Sequence, residues 1–205
     1  MLFDTEVVGF ESYKERNLYF KLFAGYLFNE LIEGWQGRFE SFISLLADPT
    51  YPETRPLAPL PLQAGTTHIS FDNHPIQLTD STTDRGEFAD VLLFDWESRA
   101  LVAIKVKFLS DWTFERDVKS NGDRLEEARR RLGASSVTSA LLVTQTKWKN
   151  VVAQRNQEQS QYRLLVEHHD RYPVRVLTWE RVRDTCTAGV VRTYLDERLG
   201  RSTER

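Results

Sequence analysis

The stretch 86–108 constrains the fold of this chain more than any other, because its pattern predicts a β-hairpin. Two apolar runs of β-prone residues, 91–94 and 101–108, flank a polar segment at 95–99. Polar residues between two such runs are typical of a turn that reverses the chain. The sequence therefore predicts two antiparallel strands joined by the turn 95–99.

The position of the turn determines which residues face each other across this hairpin. When the turn is centred between Glu97 and Ser98, the paired residue numbers have a constant sum, so Asp90 lies opposite Lys105. Side chains alternate along a strand, so Lys105 and Lys107 share one face. The other face is purely apolar and consists of Val102, Ile104, Val106 and Phe108. Charged groups seldom lie between apolar flanks without a function, which makes this end of the hairpin a candidate site.

The predicted elements around the hairpin indicate an α/β fold. Before the hairpin we predict helices at 16–33 and 38–47 with a break at Gly34 and Gly37, and strands at 66–71 and 76–78. After the hairpin we predict a loop or short helix at 109–122, a helix at 123–132 whose start is marked by Asn121, Gly122 and Asp123, a strand at 139–144, a helix at 151–168, a strand at 174–179 and a helical tail at 180–199. A helix between the hairpin and a further strand is the crossover that joins parallel neighbours. We therefore expect a mixed central sheet flanked by helices, with a C-terminal helical addition.

Length and composition are those of one folded domain. The chain has 205 residues, of which 40% are hydrophobic and 28% charged. We expect a single domain over 1–205, with N-terminal helices and a proline-rich loop in 1–65, the core sheet in 66–180 and a helical tail in 181–205. The sequence has no apolar run that could span a membrane, no signal-peptide pattern and a single cysteine. These features predict a cytoplasmic location.

The basic residues are concentrated in one part of the chain, although the net charge is −3. Residues 105–155 hold 11 basic and 6 acidic side chains, whereas residues 1–104 hold 7 and 16. A nucleic-acid backbone attracts such a segment, and we predict contacts from Lys119, Arg124, Lys147 and Lys149. Trp148, between two lysines, could stack on a base, or it could be a half-buried residue at a helix start. The arginines at 129–131 could equally belong to a solvated helix face.

Glu30 is a further candidate site residue, because it falls on the apolar arc of the helix predicted at 16–33. A carboxylate on a buried face costs several kcal/mol unless it is paired or bound to a cation. A hydrogen bond to a tyrosine or an arginine would also explain Glu30. Glu40 on the next helix is the weaker alternative.

The hairpin and its charges resemble the PD-(D/E)XK nuclease superfamily. In that family an aspartate begins one strand, and the next strand carries Glu or Asp, any residue, and Lys. Asp90 matches the first position and Lys107 the last, whereas Lys105 stands where the family has a carboxylate. The predicted order of elements over about 16–180 is similar to the family's αβββαβ core. The resemblance implies a restriction-endonuclease-like fold.

The same resemblance implies a reaction and a partner. It implies hydrolysis of DNA phosphodiester bonds by an endonuclease that uses Mg²⁺ or Mn²⁺, in restriction or antiviral (phage) defence. Asp90 and Glu30 would be metal ligands, and Lys107 would position or deprotonate the attacking water. DNA would be the substrate, with cleavage of RNA as a less favoured version. A helicase or ATPase subunit or a second copy of the chain would be compatible partners.

Lys105 conflicts with this chemistry, because it places a positive charge where a metal ligand is expected. Repulsion between an ammonium group and a divalent ion amounts to a few kcal/mol at about 6 Å and an effective dielectric near 20. We therefore expect weakened metal binding and impaired catalysis, with Lys105 paired to Asp90 or Glu30. Three explanations stay open: an introduced or selected knock-out of a toxic nuclease, a natural pseudo-nuclease that binds nucleic acid or recruits a partner, or a metal site that uses Glu87 or Glu30 differently.

Overall fold

A five-stranded mixed sheet forms the centre of the fold in the computed structural model, which describes residues 34–53, 57–71, 89–186 and 190–200. Its strands are β1 (Thr67–Phe71), β2 (Val91–Asp95), β3 (Ala100–Lys107), β4 (Ser136–Val143) and β5 (Val174–Thr178), and they lie in the sheet in chain order. The pairs β1–β2 and β2–β3 are antiparallel, whereas β3–β4 and β4–β5 are parallel. The α/β class and the mixed sheet predicted from the sequence are therefore confirmed.

Helices connect the parallel strands and cover the sheet. The described helices are α1 (Gly34–Ala47), a π-helix (Phe114–Lys119) that continues into α2 (Ser120–Leu132), α3 (Gln145–Ala153), α4 (Gln161–Glu167), α5 (Trp179–Thr185) and α6 (Val190–Gly200). The π-helix and α2 join β3 to β4, and α3 and α4 join β4 to β5, as parallel neighbours require. In the described ranges no helix has the length and apolar character needed to cross a lipid bilayer.

Both faces of the sheet are buried, which explains the nearly continuous apolar sequence of its central strands. On one face, α1, α5 and α6 pack side chains such as Phe42, Val182 and Leu195 against Val102 and Ile104. The opposite face carries two separate apolar clusters. One cluster lies under the π-helix, α3 and α4, and the other lies under α2. The sheet is thus the middle layer of three, and its second face is divided.

The hairpin has the predicted register, with Val91 opposite Ile104 and Phe94 opposite Leu101. Its turn is fixed by the buried carboxylate of Asp95, which accepts hydrogen bonds from the backbone N–H groups of Ser98 (2.8 Å) and Gln63 (3.1 Å). The hydroxyl groups of Thr66, Thr67 and Ser98 donate further bonds to it. Asp95 therefore ties the turn to the segment that leads into β1.

Three helix boundaries predicted from the sequence are wrong. The second helix begins at Gly34 rather than at residue 38, so Gly37 lies inside α1 and does not break a helix. The helix after the hairpin begins at Phe114, and Asn121 and Gly122 lie within it. The helix predicted at 151–168 is two helices, α3 and α4, separated by a turn in which Gln159 has a positive φ of 62°.

Tertiary contacts explain why Asn121 and Gly122 do not start a helix, although local preference favours them there. The amide of Asn121 is buried and donates to Ser139 on β4 (3.3 Å). A Cβ atom on Gly122 would lie 2.9 Å from the ring of Tyr172, so the small residue accommodates that ring. The predicted helix at 16–33 and the predicted strand at 76–78 lie outside the described residues.

Candidate functional site

A buried ion pair joins the two strands of the hairpin at its open end. Asp90 precedes β2, and its backbone N–H donates to the carbonyl of Ile104 (3.0 Å), the residue that pairs with Val91. The Lys105 ammonium lies 3.3 Å from Asp90 Oδ1, and the Val106 N–H donates to Oδ2 (2.6 Å). Asp90 and Lys105 are only 3% and 7% exposed. The structure thus brings together the two residues that the register places opposite each other.

A second ion pair lies two residues further along the same face of β3. The Lys107 ammonium is 3.3 Å from Asp117 Oδ1, with 14% of the lysine side chain exposed and the aspartate side chain fully buried. Asp117 belongs to the π-helix, between the buried side chains of Phe114 and Val118. The sequence did not reveal Asp117 as a site residue. The apolar spacing of Phe114 and Val118, one helical turn apart, was the available signal that a helix covers this end of β3.

The two carboxylate oxygens of Asp117 have different environments. Oδ2 accepts hydrogen bonds from Thr113 N (2.9 Å), Arg116 Nε (3.0 Å) and Arg116 Nη2 (2.8 Å). Oδ1 is buried and has no hydrogen-bond partner of good angular geometry among the described residues, and the Lys107 ammonium is its charge partner. The carboxylate is therefore held on one side and faces Lys107 on the other.

These groups form a polar seam between the two apolar clusters that cover this face of the sheet. The seam consists of Asp90, Lys105, Lys107, Asp117, Asn121 and Ser139. Asn121 lies one helical turn after Asp117, and Ser139 faces Ala103 across the parallel β3–β4 register. The four formal charges of these six residues cancel, and the Arg116 guanidinium, 2.8 Å from Asp117 Oδ2, adds one further positive charge beside them. Buried charges of this kind need such partners, because each alone would pay a large desolvation cost.

The described residues of the seam do not fit the divalent metal that the family resemblance implies. The described part of the chain contains no cluster of three or more His, Cys, Asp or Glu residues that could hold a metal ion. Asp90 already contacts the Lys105 ammonium and the Val106 N–H, and Mg²⁺ prefers about six oxygen ligands. Glu30 and Glu87 lie outside the described residues. Glu40 is exposed on α1, which packs on the opposite face of the sheet, so the structure does not bring it to the seam.

Two of the predicted nucleic-acid contacts are engaged within the protein. The Lys147 ammonium donates to the carbonyls of Leu109 (2.9 Å) and Ser110 (2.8 Å) and to Asp111 Oδ1 (2.8 Å). The hydrogen bond and charge of Lys147 hold the pKa of Asp111 below its usual value. Lys119 pairs with Glu115 (2.7 Å) at the surface. Lys147 thus holds the loop that follows β3.

The remaining predicted contacts lie on the helices. Lys149 is exposed on α3, and Arg124 is partly buried on α2. Trp148 is buried in the first turn of α3 and packs against Tyr51 and Tyr162. Of its two predicted roles, the structure thus supports the buried residue at a helix start rather than base stacking. The arginines at 129–131 include two that pair along α2, Arg129 with Glu126 and Arg131 with Glu127, as expected for a solvated helix face.

Comparison of the chain with protein-family models, with curated proteins and with solved structures finds no significant match. The resemblance to the PD-(D/E)XK superfamily therefore depends on the hairpin, its charges and the order of elements. The catalytic and metal-binding roles implied for Asp90, Lys105, Lys107 and Glu30 stay predictions.

Proposed function

We propose that this chain has the scaffold of a PD-(D/E)XK endonuclease acting on DNA, and that Lys105 impairs its catalysis. The observation that carries the proposal is the arrangement of three charged residues. Asp90 faces position 105 across the hairpin, and Lys107 follows on the same face of β3. The family places its aspartate, second acidic residue and lysine at these positions. A role in restriction or phage defence, and a helicase or ATPase partner, belong to the same proposal.

Phosphodiester hydrolysis requires a water molecule aligned with the leaving oxygen and positive charge beside the scissile phosphate. In enzymes of this class, a bound metal ion supplies the activated water and stabilises the developing negative charge. Lys107 is partly exposed at the edge of the seam, so its ammonium group can donate to a phosphate oxygen or to the water. Lys105 supplies charge to the seam but no oxygen ligand, which accounts for the impaired catalysis that we propose.

A second function is favoured by the internal neutralisation of the seam. Asp90 pairs with Lys105 and Asp117 pairs with Lys107, so each charge is matched without substrate or metal. A chain stabilised in this way would serve as a non-catalytic subunit that binds nucleic acid or recruits a partner enzyme. Exposed cations such as Lys149 would then carry the binding.

The discriminating experiment measures nicking of supercoiled plasmid with Mg²⁺ or Mn²⁺. The unmodified chain is compared with Lys105→Glu, which supplies the family's carboxylate, and with Lys105→Gln, which removes the positive charge but supplies a neutral amide in place of the carboxylate. Lys105→Glu combined with Lys107→Met tests the lysine, and circular dichroism verifies that each variant folds. Structured and single-stranded RNA are offered in parallel to identify the substrate.

Cleavage by Lys105→Glu that is absent from Lys105→Gln and is lost again in the double variant would support a disabled nuclease. Binding of DNA that weakens with salt, without cleavage by any variant, would support the non-catalytic subunit. Absence of both cleavage and binding, in folded variants, would reject a function on nucleic acid.

A further inference from the structure

We propose that Asp117 is a positioning residue that fixes the ammonium group of Lys107. Its value for catalysis rests on the proposed function, because Lys107 is the lysine that would face the phosphate or the water. The pairing itself is independent of any reaction. Neither the hairpin pattern nor the family resemblance assigns a role to Asp117.

The first argument is the orientation of the carboxylate. Thr113 N and two nitrogens of Arg116 hold Oδ2, and the backbone donor cannot move without moving the segment. The carboxylate is thus prevented from rotating, and Oδ1 is left facing Lys107 at 3.3 Å. A buried charged oxygen in this state requires a cation, because it is removed from water. Arg116 supplies a cation at Oδ2, and Lys107 supplies the one at Oδ1.

The second argument is the rigidity of the segment that carries Asp117. The side chain of Thr113 accepts the N–H of Arg116 at the start of the π-helix. Phe114 and Val118 are buried on either side of Asp117 in the cluster that covers β4, and the Phe114 ring stacks on His168 at 5.3 Å between centroids. π-helices are rare and occur frequently at functional sites. Asp117 is therefore held by packed neighbours.

The third argument concerns the lysine. Lys107 is the last residue of β3 and lies at the edge of the seam, where a long side chain could adopt many rotamers. Lysine loses more side-chain entropy on ordering than most residues, so a group that orders it beforehand removes that cost from the reaction. Arg116 shares the same carboxylate and is 58% exposed, so Asp117 also anchors a second cation next to Lys107.

The test that needs no catalysis is amine labelling of the whole chain. A short pulse of acetic anhydride is followed by mass spectrometry of each lysine, in the unmodified chain and in Asp117→Asn, Asp117→Glu and Asp90→Asn. We expect Asp117→Asn to raise the labelling rate of Lys107 by about tenfold, because a buried ion pair loses one partner. Asp117→Glu should restore part of the protection, whereas Asp90→Asn should leave Lys107 unchanged and expose Lys105. Lys149 serves as the exposed reference.

A measurement on the unmodified chain keeps the inference testable if Asp117→Asn does not fold. In ¹⁵N-lysine-labelled protein, the Lys107 ammonium protons should exchange with water at least about tenfold more slowly than those of Lys149, since only the former are buried in an ion pair. Equal exchange rates, or an unchanged Lys107 labelling rate in folded Asp117→Asn, would overturn the assignment of Asp117.

The activity measurement uses the Lys105→Glu background. There, Asp117→Asn should lower kcat by about tenfold or more, leave KM within about threefold and shift the pH profile of cleavage, with partial rescue by Asp117→Glu. If the Lys105→Glu variant is inactive while Asp117 still protects Lys107 from labelling, the proposed nuclease function is rejected and the pairing of Asp117 with Lys107 stands. An active Lys105→Glu in which Asp117→Asn changes neither labelling nor the pH profile would reject the positioning role and keep the nuclease.

Discussion

The Asp90 carboxylate lies against Lys105 of the neighbouring strand, with 3.3 Å between Oδ1 and Nζ, while its other oxygen accepts the N–H of Val106. One side chain at the start of β2 therefore holds both the side chain and the backbone of β3. Position 105 contributes to the stability of the hairpin whether or not it contributes to a reaction.

Lys105→Met should destabilise the protein, since it keeps the length of the side chain but removes the ammonium group from a buried carboxylate. Breaking such a pair by removing one partner costs about 3–5 kcal/mol. Asp90→Asn combined with Lys105→Met should recover much of this loss. Urea unfolding of both single variants and the double variant gives the coupling energy. A coupling energy near zero would show that the two groups do not stabilise each other.

Lys105→Glu should acquire a stability that depends on divalent ions. In this variant two carboxylates face each other, and their repulsion is relieved by a cation bound between them. We expect Mg²⁺ at about 100 times its Kd to raise the free energy of unfolding by about 2.7 kcal/mol, and EDTA to reverse the change. Thermal unfolding with and without Mg²⁺ measures the effect. The unmodified chain and Lys105→Gln should not respond, and a similar response in all three would contradict a local site.

Asp95→Asn should weaken the hairpin turn in a pH-dependent manner. Burial opposes ionisation of Asp95, but hydrogen bonds from Thr66, Ser98 and Gln63 outweigh it and hold the pKa well below its ordinary value. The unfolded chain therefore binds the proton more readily, so this stabilisation is complete above about pH 5 and is lost as the pH falls below about 4. We expect a loss of about 2–3 kcal/mol at pH 7.

Urea unfolding at pH 7 and at pH 3 checks this prediction, and the difference between Asp95→Asn and the unmodified chain should shrink at the lower pH. Asp111→Asn is the matched control, because that carboxylate is 95% exposed and its ion pair is screened by solvent. If Asp95→Asn lowers the free energy of unfolding by the same amount at pH 7 and at pH 3, the role assigned to the ionised carboxylate is contradicted.

Gly133→Ala should destabilise the end of α2. Gly133 has φ of +60°, and an added Cβ atom would lie 3.0 Å from Arg99 Nη2. The left-handed conformation costs a residue with a Cβ atom about 1–2 kcal/mol, and the displaced guanidinium would also lose its contacts with the carbonyls of Leu132 and Gly133. Gly65→Ala is the control, because a Cβ atom added there would meet open space and the φ of Gly65 lies outside the left-handed region. Equal urea midpoints for the two variants would disprove the expectation.

Lys147→Ala and Lys149→Ala should affect the protein in different ways. Lys147→Ala releases the loop at 109–111 from three hydrogen bonds, so limited proteolysis of that loop should accelerate.

Lys149→Ala removes an exposed charge, so it should lower DNA affinity and reduce the slope of log K against log salt by about 1 without changing the midpoint of unfolding. Arg192→Gln on α6, on the opposite face of the sheet, is the control for charge alone. Equal DNA affinities for all three variants and the unmodified chain would remove Lys149 from the interface.

The hairpin register and the parallel position of β4 could be predicted because both follow from short-range patterns. The two β-prone runs and the polar segment at 95–99 leave one pairing that buries the apolar face. The apolar run in β4 indicates a strand covered on both sides, and the structure buries it so. Asp90 and Lys105 meet as a direct consequence of that register.

Asp117 could not be predicted in the same way, because it reaches the site through tertiary packing. Its segment has mixed charge, and the helix there depends on Phe114 and Val118 meeting the cluster formed by β4, α3 and α4. The sequence could not decide between the two alternatives for Trp148 for a related reason. Its neighbours Lys147 and Lys149 suggest a surface, whereas Tyr51, more than ninety positions earlier in the sequence, supplies the ring against which Trp148 packs.

The polar seam has a consequence for how the helical layer is aligned on the sheet. Two purely apolar surfaces can shift relative to each other by one helical turn and still exclude water. Leucines and alanines alone therefore do not fix the alignment of a helix on a sheet. An ammonium group that meets a carboxylate, and an amide that meets a hydroxyl, have few acceptable alignments. The seam thus fixes the position of α2 and the π-helix relative to β3 and β4. Replacing Lys107 and Asp117 together by Met and Leu should leave a folded protein whose amide resonances over α2 broaden or double.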